Sequence, residues 1–349
     1  MKIVKINNIK IGRGTKPFII AEAGINHNGE IKKALEMVSI AKKAGADAIK
    51  FQTFKADQVV ANSSLKYSYK SRGKQVTESQ MDLFKRCQLT FDDFKKIKKK
   101  CNTEKIIFLS TPQNQSDLDL LLKIGIPAIK VGSDDFINIP LLKDFTKTKL
   151  PLIISCGMAN LSEIQATLTS IGALNNYPTI LMLTTSEYPT STKNANLLKF
   201  KTLSKYFPNV ILGYSDHTQN HLAACMAVSF GAKVFEKHFT LNKNLSGPDH
   251  WFSEDPKSLK NWVSSIRIAY ELLGSGELEP TKHELKMRIL ARRSLVSLKN
   301  IKKGDLFDQN NVGMRRPGNG LEPKIFFNLK GKKSKRTISK GIRLKKGDF

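Results

Sequence analysis

Two histidines, His217 and His238, carry the clearest chemistry in the chain. Each follows a short apolar run, Val210-Ile-Leu212 and Ala232-Lys-Val-Phe235, and so falls just past the end of a β-strand. They are 21 residues apart, and the segment between them presents a helical small-residue face of Ala223, Ala224, Ala227 and Val228. That is one strand–helix–strand unit, whose parallel strands bring both ends to the same sheet edge. Two imidazoles on one edge can share a divalent metal. Taken singly, each is better explained as a polar residue near a helix N-terminus. Lys50 and Lys130 make a second pair, both inside strand-like runs and both near serines. An ammonium buried without a partner is costly. A lysine at a barrel rim can snorkel, but two in equivalent places favour an anion site.

The elements that position these residues alternate regularly. Strand-like runs fall at 18–21, 48–52, 106–109, 128–131, 152–154, 179–183, 210–212 and 233–235. Helical periodicity follows each, at 30–43, 78–100, 115–123, 140–146, 161–171, 194–206, 221–231 and 255–273, the last opened by Asp255-Pro256 as N-cap and first helical residue. Residues 55–77 read as a long polar connection. Eight such units without a Gly-x-Gly-x-x-Gly turn predict a (β/α)8 TIM barrel, an α/β fold whose chemistry sits on the loops after the strands. The polar residues collect there: Glu22, Lys50, Gln52, Lys130, Ser133, Ser155, the 184–188 segment, Ser215, His217 and His238. The barrel is placed at 1–276 and a charged linker at 277–291. A small β-rich module with two Lys-Gly-Asp turns is placed at 292–349, near the lower size limit for an independent core.

The 349 residues carry 58 Lys and Arg against 30 Asp and Glu, a net charge of +28. Nucleic acid or an anionic substrate would explain that excess. The lysines are spread along the chain, however. The densest run, 95–100, follows Phe91 and Phe94 at helical spacing and is the wet face of an amphipathic helix. With no zinc knuckle or RNA-binding signature, a nucleic-acid partner is not expected, while a phosphate-bearing substrate would gain from the field. Four cysteines without CxxC spacing suit a reducing cytoplasm. No apolar run approaches the ~18–20 residues of a membrane span, so a cytoplasmic protein without a membrane partner is expected.

At this point the chain resembles the sialic acid synthases: N-acetylneuraminate synthase and its legionaminate, pseudaminate and spore-coat polysaccharide relatives. The carriers are Ile20-Ala-Glu22-Ala-Gly-Ile-Asn26-His-Asn-Gly29, Ile49-Lys50-Phe-Gln52, Ile129-Lys130-Val-Gly-Ser133, Ser155-Cys-Gly-Met158, Gly213-Tyr-Ser215-Asp-His217-Thr218, Glu236-Lys-His238, Gly247-Pro-Asp249 and Arg315-Arg316-Pro-Gly-Asn-Gly320. The resemblance covers nearly the whole chain, and the tail is similar to the family's antifreeze-like (SAF) domain. It implies a transferase that condenses phosphoenolpyruvate with the open-chain aldehyde of an N-acylated mannosamine-type sugar, giving a nine-carbon 2-keto acid and phosphate. His217 and His238 match ligands of a divalent metal, Mn2+ ahead of Mg2+ or Co2+. Lys50, Lys130, Ser133, Ser155 and Ser215 match the phosphoenolpyruvate clamp, and Gln52, Tyr188 and Asp249 match sugar contacts. Glu22 matches an acidic position beside the metal, suited to hold a metal-bound water or the attacking water. Arg316 matches an arginine that the SAF domain delivers into the partner's site, which implies a domain-swapped homodimer.

The chain departs from the pattern in two places. After the fourth strand the family's Gly-Ser-Gly-Glu is replaced by Gly132-Ser133-Asp134-Asp135, so the candidate general base is the shorter Asp135, which an N-cap role would explain equally simply. An Asn common before the sixth-loop Tyr-Pro is replaced by Ser186, near where the substrate carboxylate is expected. The 55–77 connection has no clear counterpart. A barrel aldolase forming a Schiff base through Lys50 or Lys130 is the more distant alternative, which borohydride trapping distinguishes.

Overall fold

In the computed structural model, which describes residues 3–349, the chain forms two compact units, one ending at Gly274 and the other spanning Ser275–Phe349. The first opens with an unforeseen antiparallel hairpin, β1 (Ile3–Ile6) and β2 (Ile9–Gly12), turned at Asn7 with positive φ. Its buried Val4, Ile6 and Ile11 pack against the apolar residues inside one end of the barrel and close it.

The barrel begins with β3 (Phe18–Gly24), α1 (Ile31–Ala44) and β4 (Ala48–Thr53). The expected featureless connection instead holds α2 (Ala56–Val59) and a second hairpin, β5 (Lys66–Ser71) and β6 (Lys74–Ser79). Arg72 and Gly73 both have positive φ at its two-residue turn, the geometry that matches strand twist in tight hairpins. Next come α3 (Gln80–Cys87) and α4 (Phe91–Glu104), separate helices because Thr90 caps the second with a reciprocal bond to Asp93. Then follow β7 (Ile107–Pro112), α5 (Gln115–Ile124), β8 (Ile129–Val131), α6 (Ile139–Lys147), β9 (Leu152–Ser155), α7 (Leu161–Ser170) and β10 (Thr179–Leu183). The helix expected from 194 starts later, as α8 (Lys199–Tyr206), because Asn196 takes a positive φ. The unit closes with β11 (Ile211–Asp216), α9 (Leu222–Ser229), β12 (Val234–His238) and α10 (Pro256–Leu272), the last capped by Asp255 as expected.

The eight parallel strands run in the order β7-β4-β3-β12-β11-β10-β9-β8, and the two end strands lie against each other, giving a nearly closed TIM-like barrel. Side chains alternate along each strand. Ile19, Ile49, Phe108, Ile154, Leu181, Leu212 and Phe235 face the helices in one large core. Ile20, Ala48, Leu109, Ile153, Met182, Ile211 and Val234 face inward. Two residues further along, the inward row turns polar: Glu22, Lys50, Thr111, Ser155, Thr184 and Glu236, all buried. The apolar floor thus carries a polar layer at the C-terminal ends of the strands, where barrel chemistry sits.

The second unit starts with α11 (Lys282–Ala291), inside the stretch read as a linker and capped by Thr281 with Glu284. Its last turn is tied to the module, with the Gly318 amide donating to the Ile289 carbonyl and Arg316 Nε to the Ala291 carbonyl. An antiparallel pair, β13 (Ser294–Ser297) and β14 (Val312–Arg315), and isolated bridges such as Ile301 with Ile338 surround a core of Leu295, Ile301, Phe307, Val312, Leu329, Ile338 and Leu344. A single turn of helix, α12 (Phe326–Leu329), supplies Leu329 to it. This is the small β-rich module expected to follow the barrel. Among the described residues no helix is long and apolar enough to cross a membrane.

Candidate active site

A cavity of about 770 Å³ opens at the C-terminal ends of the barrel strands. It gathers Glu22, Lys50, Gln52, Lys130, Ser133, Ser155, Ser186, Tyr188, Ser215, His217, His238 and Asp249. The strand residues among them meet there because they sit one or two alternations above the inward apolar layer, and the others come from the loops that follow the strands. Part of the lining is apolar: Ile25, Leu83 and Phe84, which pack together, and Val59, with Tyr67 of the β5–β6 hairpin also lining the cavity.

The cavity floor is an array of buried charge. Lys50 Nζ lies 2.8 Å from Glu22 and 3.8 Å from Glu236, while Lys130 Nζ lies 3.7 Å from Glu236. Lys50 also donates to Thr111 Oγ1 at 3.1 Å, and Lys130 to Ser155 Oγ at 2.8 Å. Ser215 donates to Glu236 Oε1 at 3.2 Å. Burial pushes the Glu22 carboxyl up to about 7 against the pull of Lys50, with Glu236 adding to the rise. Burial also acts to raise Glu236, but Lys130 and Lys50 outweigh it and hold that carboxylate low. Burial depresses Lys130, whereas for Lys50 the two carboxylates overcome burial and keep the ammonium charged. One Glu is therefore poised to trade a proton near neutral pH beside a fixed ion pair. The motif Glu236-Lys-His238 does not by itself give Glu236 a role. Glu236 shares the inward face of β12 with His238, and that period-two relation was the signal that could have found it.

Around the lysines the hydroxyls converge. Ser133 Oγ accepts from the Gly157 amide at 3.1 Å, and Ser186 Oγ is buried without a partner among the described residues. A Cβ at position 157 would collide with both hydroxyls, so glycine is what lets them close on one space. A concave set of hydroxyls over two ammonium groups suits a phosphate or carboxylate.

Above the floor, the His217 and His238 rings lie 5.5 Å apart between centroids, and Tyr188 packs 4.2 Å from His217. The His217 Nδ1–H donates to the Thr185 carbonyl at 2.8 Å, which leaves Nε2 with its lone pair exposed to a ligand. His238 Nδ1 is buried without a hydrogen bond, and its nearest carboxylate, Asp249, is 3.8 Å away. Burial lowers both imidazoles, His217 to about 4 and His238 well below its ordinary value, so both are neutral bases. Burial also raises Asp249 to about 6. Two neutral imidazoles, one with an orphaned nitrogen, fit a shared divalent ion. Among the described residues no cage of three or more His, Cys, Asp or Glu completes the set, so water and substrate oxygens would supply the remaining ligands.

One sequence candidate falls outside this set. Asp135 does not line the cavity. Its carboxylate accepts from Asn138, the N-cap of α6, and Asp134 faces the cavity instead. The loop turns between two adjacent acids, and residue type alone does not say which one faces in. Arg316 belongs to the second unit, beyond β14.

A parallel barrel with an anion-binding floor and a paired-imidazole rim defines a barrel enzyme acting on phosphorylated or carboxylated substrates. Residues 37–278 match the NeuB family and residues 292–349 the SAF domain, and the chain belongs to the NeuB family. It is 39% identical over 346 residues to the N,N'-diacetyllegionaminic acid synthase of Legionella pneumophila, covering 97% of each chain. It is 36% identical to the pseudaminic acid synthase of Campylobacter jejuni, covering 96% of this chain and 97% of that one. The crystal structure of N-acetylneuraminic acid synthetase from Leptospira borgpetersenii superposes with a TM-score of 0.73 at 32% identity, covering 82% of this chain and 95% of that one. The protein is accordingly an enzyme of the nonulosonic acid synthase type, a transferase that condenses phosphoenolpyruvate with an acylated amino sugar, in a family whose members depend on a metal.

Proposed function

We propose that this enzyme takes a 2,4-diacetamido-2,4,6-trideoxy hexose, of the kind that yields legionaminate, as its acceptor, ahead of N-acetylmannosamine. The observation that carries this reading is that Ile25, Val59, Leu83 and Phe84 line the same cavity as the charged floor. A deoxy C6 methyl and a second acetamido methyl gain from such a lining, whereas a hydroxymethyl would lose water there without a partner. The Legionella pneumophila relative supports the same choice.

The reaction joins phosphoenolpyruvate C3 to the aldehyde carbon, adds water at C2 and breaks the C2–O bond to release phosphate. Lys50 and Lys130, with Ser133, Ser155, Ser186 and Ser215, hold the phosphate and carboxylate. Gln52, Tyr188 and Asp249 orient the open-chain sugar. His217 and His238 would hold a divalent ion, Mn2+ in this reading, which when bound supplies Lewis-acid polarisation. Glu22 takes a proton from the attacking water, in keeping with its raised pKa. Asp134 replaces Asp135 as the second carboxylate of the site. Lys50, held charged by Glu22, is a poor Schiff-base nucleophile. Arg316 completes the site of a partner subunit in a swapped homodimer.

The test is phosphate release from phosphoenolpyruvate with Mn2+ and then with EDTA, over 2-acetamido-mannose, 2,4-diacetamido-trideoxy-mannose and 2,4-diacetamido-trideoxy-altrose. Metal-dependent release with the diacetamido-mannose sugar is expected. Preference for 2-acetamido-mannose would overturn the acceptor reading, and release with no sugar would overturn the reaction.

A further inference from the structure

Directly behind the two histidines lies a second buried ion pair that takes no part in binding substrate. At the end of β11, Ser215 and His217, the first residue beyond the strand, line the cavity, and the residue between them, Asp216, points out toward Trp262 of α10. On β12, Glu236 and His238 point inward, and Lys237 points out. Asp216 and Lys237 are register partners on these neighbouring strands, with their charges 3.0 Å apart and side chains 0% and 2% exposed. Asp216 Oδ2 also accepts from Trp262 Nε1 at 3.0 Å, and Oδ1 accepts from the Thr218 amide at 2.9 Å and the Thr218 hydroxyl at 2.7 Å. Lys237 Nζ donates in turn to the Thr218 carbonyl. On its other side, Lys237 is 3.8 Å from Glu254, whose amide donates to the His238 carbonyl at 2.9 Å.

Each histidine is therefore flanked by a member of the pair or a residue bonded to it. Thr218, next to His217, is held from its own strand by Asp216 and from the neighbouring strand by Lys237. Glu254 fixes the backbone at His238. The bonds cross from the β11 end to the β12 end at the level where the imidazoles emerge on the other face. Stability alone is a weak reason for this arrangement, because a buried ion pair can often be exchanged for apolar residues without loss of stability. What apolar residues cannot reproduce is a directional set of bonds fixing the relative height and separation of two strand ends.

We propose that the Asp216–Lys237 pair, anchored by Trp262 and Thr218, is a positioning device that sets the spacing of His217 and His238 for their divalent ion. This rests on the reading that the two histidines bind that ion. The experiment is a Mn2+ titration of the purified enzyme without substrates, followed by the electron paramagnetic resonance signal of free Mn2+. The proteins compared are wild type, His217→Ala, Asp216→Leu/Lys237→Met and Trp262→Phe. Wild type should bind, and His217→Ala should lose binding. The folded pair variant should bind roughly 10–100-fold more weakly, the range seen when outer-shell partners of metal ligands are removed. Trp262→Phe, which deletes one bond and keeps the pair, should weaken binding several-fold and guards against a pair variant that does not fold. Wild-type affinity in either folded variant would overturn the positioning role while leaving the metal reading intact. Binding that His217→Ala does not reduce would overturn both.

Discussion

At the residue scale the site is governed by which carboxylate faces the cavity. Asp134 lines it, while Asp135 is engaged with Asn138 at the start of α6. Asp134→Asn should lower kcat by about 100-fold or more if the carboxylate moves a proton, and Asp135→Asn should change it by less than about threefold. Steady-state phosphate release checks both, and the reverse ranking would return the role to Asp135. A buried histidine outside the cavity lining, His27, adds its own part to the acid response. Burial lowers His27 to about 4 from 6.5, and its Nδ1 accepts from the Gly29 amide at 3.0 Å. The unfolded chain takes up that proton below 6.5 and the folded one does not until about 4. The stability His27 contributes is thus complete above 6.5 and is lost as pH falls to about 4, by on the order of 3 kcal/mol. In His27→Asn, which keeps an acceptor and cannot titrate, urea unfolding at pH 7 and pH 4.5 should show a smaller loss than in wild type. An equal loss would place the linkage elsewhere.

At the element scale, the strands show why so much of the site was legible. Ile20 and Glu22, Ala48 and Lys50, and Val234, Glu236 and His238 repeat one pattern, apolar then polar on the inward face, and two-residue periodicity exposes it without coordinates. The β5–β6 hairpin was illegible because Lys66-Tyr-Ser-Tyr-Lys-Ser71 has almost no apolar face. It is held by its Arg72-Gly73 turn and by docking: Arg72 Nε donates to the Asn244 carbonyl at 3.1 Å, the Gly247 amide donates to Ser71 Oγ at 3.2 Å, and Lys70 sits 4.7 Å over Trp251. The β1–β2 hairpin lies outside the regular strand–helix alternation, and its signal is only a short apolar alternation on either side of Asn7-Asn8. The two hairpins should respond differently to mutation. Tyr67 lines the cavity, so Tyr67→Ala should raise KM for the sugar about tenfold, roughly the weight of one well-packed aromatic contact, and leave KM for phosphoenolpyruvate nearly unchanged. Ile6, fully buried in the barrel plug, should cost about 2–4 kcal/mol on conversion to Ala, with kinetic constants preserved at temperatures where the variant is folded. Thermal denaturation and initial rates separate the two cases.

At the scale of the whole molecule, the proposal that Arg316 serves a partner's barrel makes a prediction of its own. The module that carries it has its own core, and α11 is tied to that module by bonds from Gly318 and Arg316. Arg316 Nε is occupied within the module, but the guanidinium has four further N–H donors, enough to meet a carboxylate or sugar oxygen. If the module reaches across a homodimer, each site joins one chain's histidines to the other chain's arginine. Arg316→Ala and His217→Ala homodimers should then both be inactive, for opposite reasons. When equal amounts are unfolded together and refolded, about half the dimers are mixed. Each mixed dimer holds one site in which the barrel of the Arg316→Ala chain meets the module of the His217→Ala chain, both intact. Roughly a quarter of the sites, and of wild-type activity, should return. If each module instead covers its own barrel, no mixed dimer contains an intact site and no activity returns. The same refolding with Arg316→Ala alone gives the baseline, and a sizing column shows whether dimers have formed. Rescue near a quarter would establish the exchange, and dimers without rescue would assign Arg316 to its own chain.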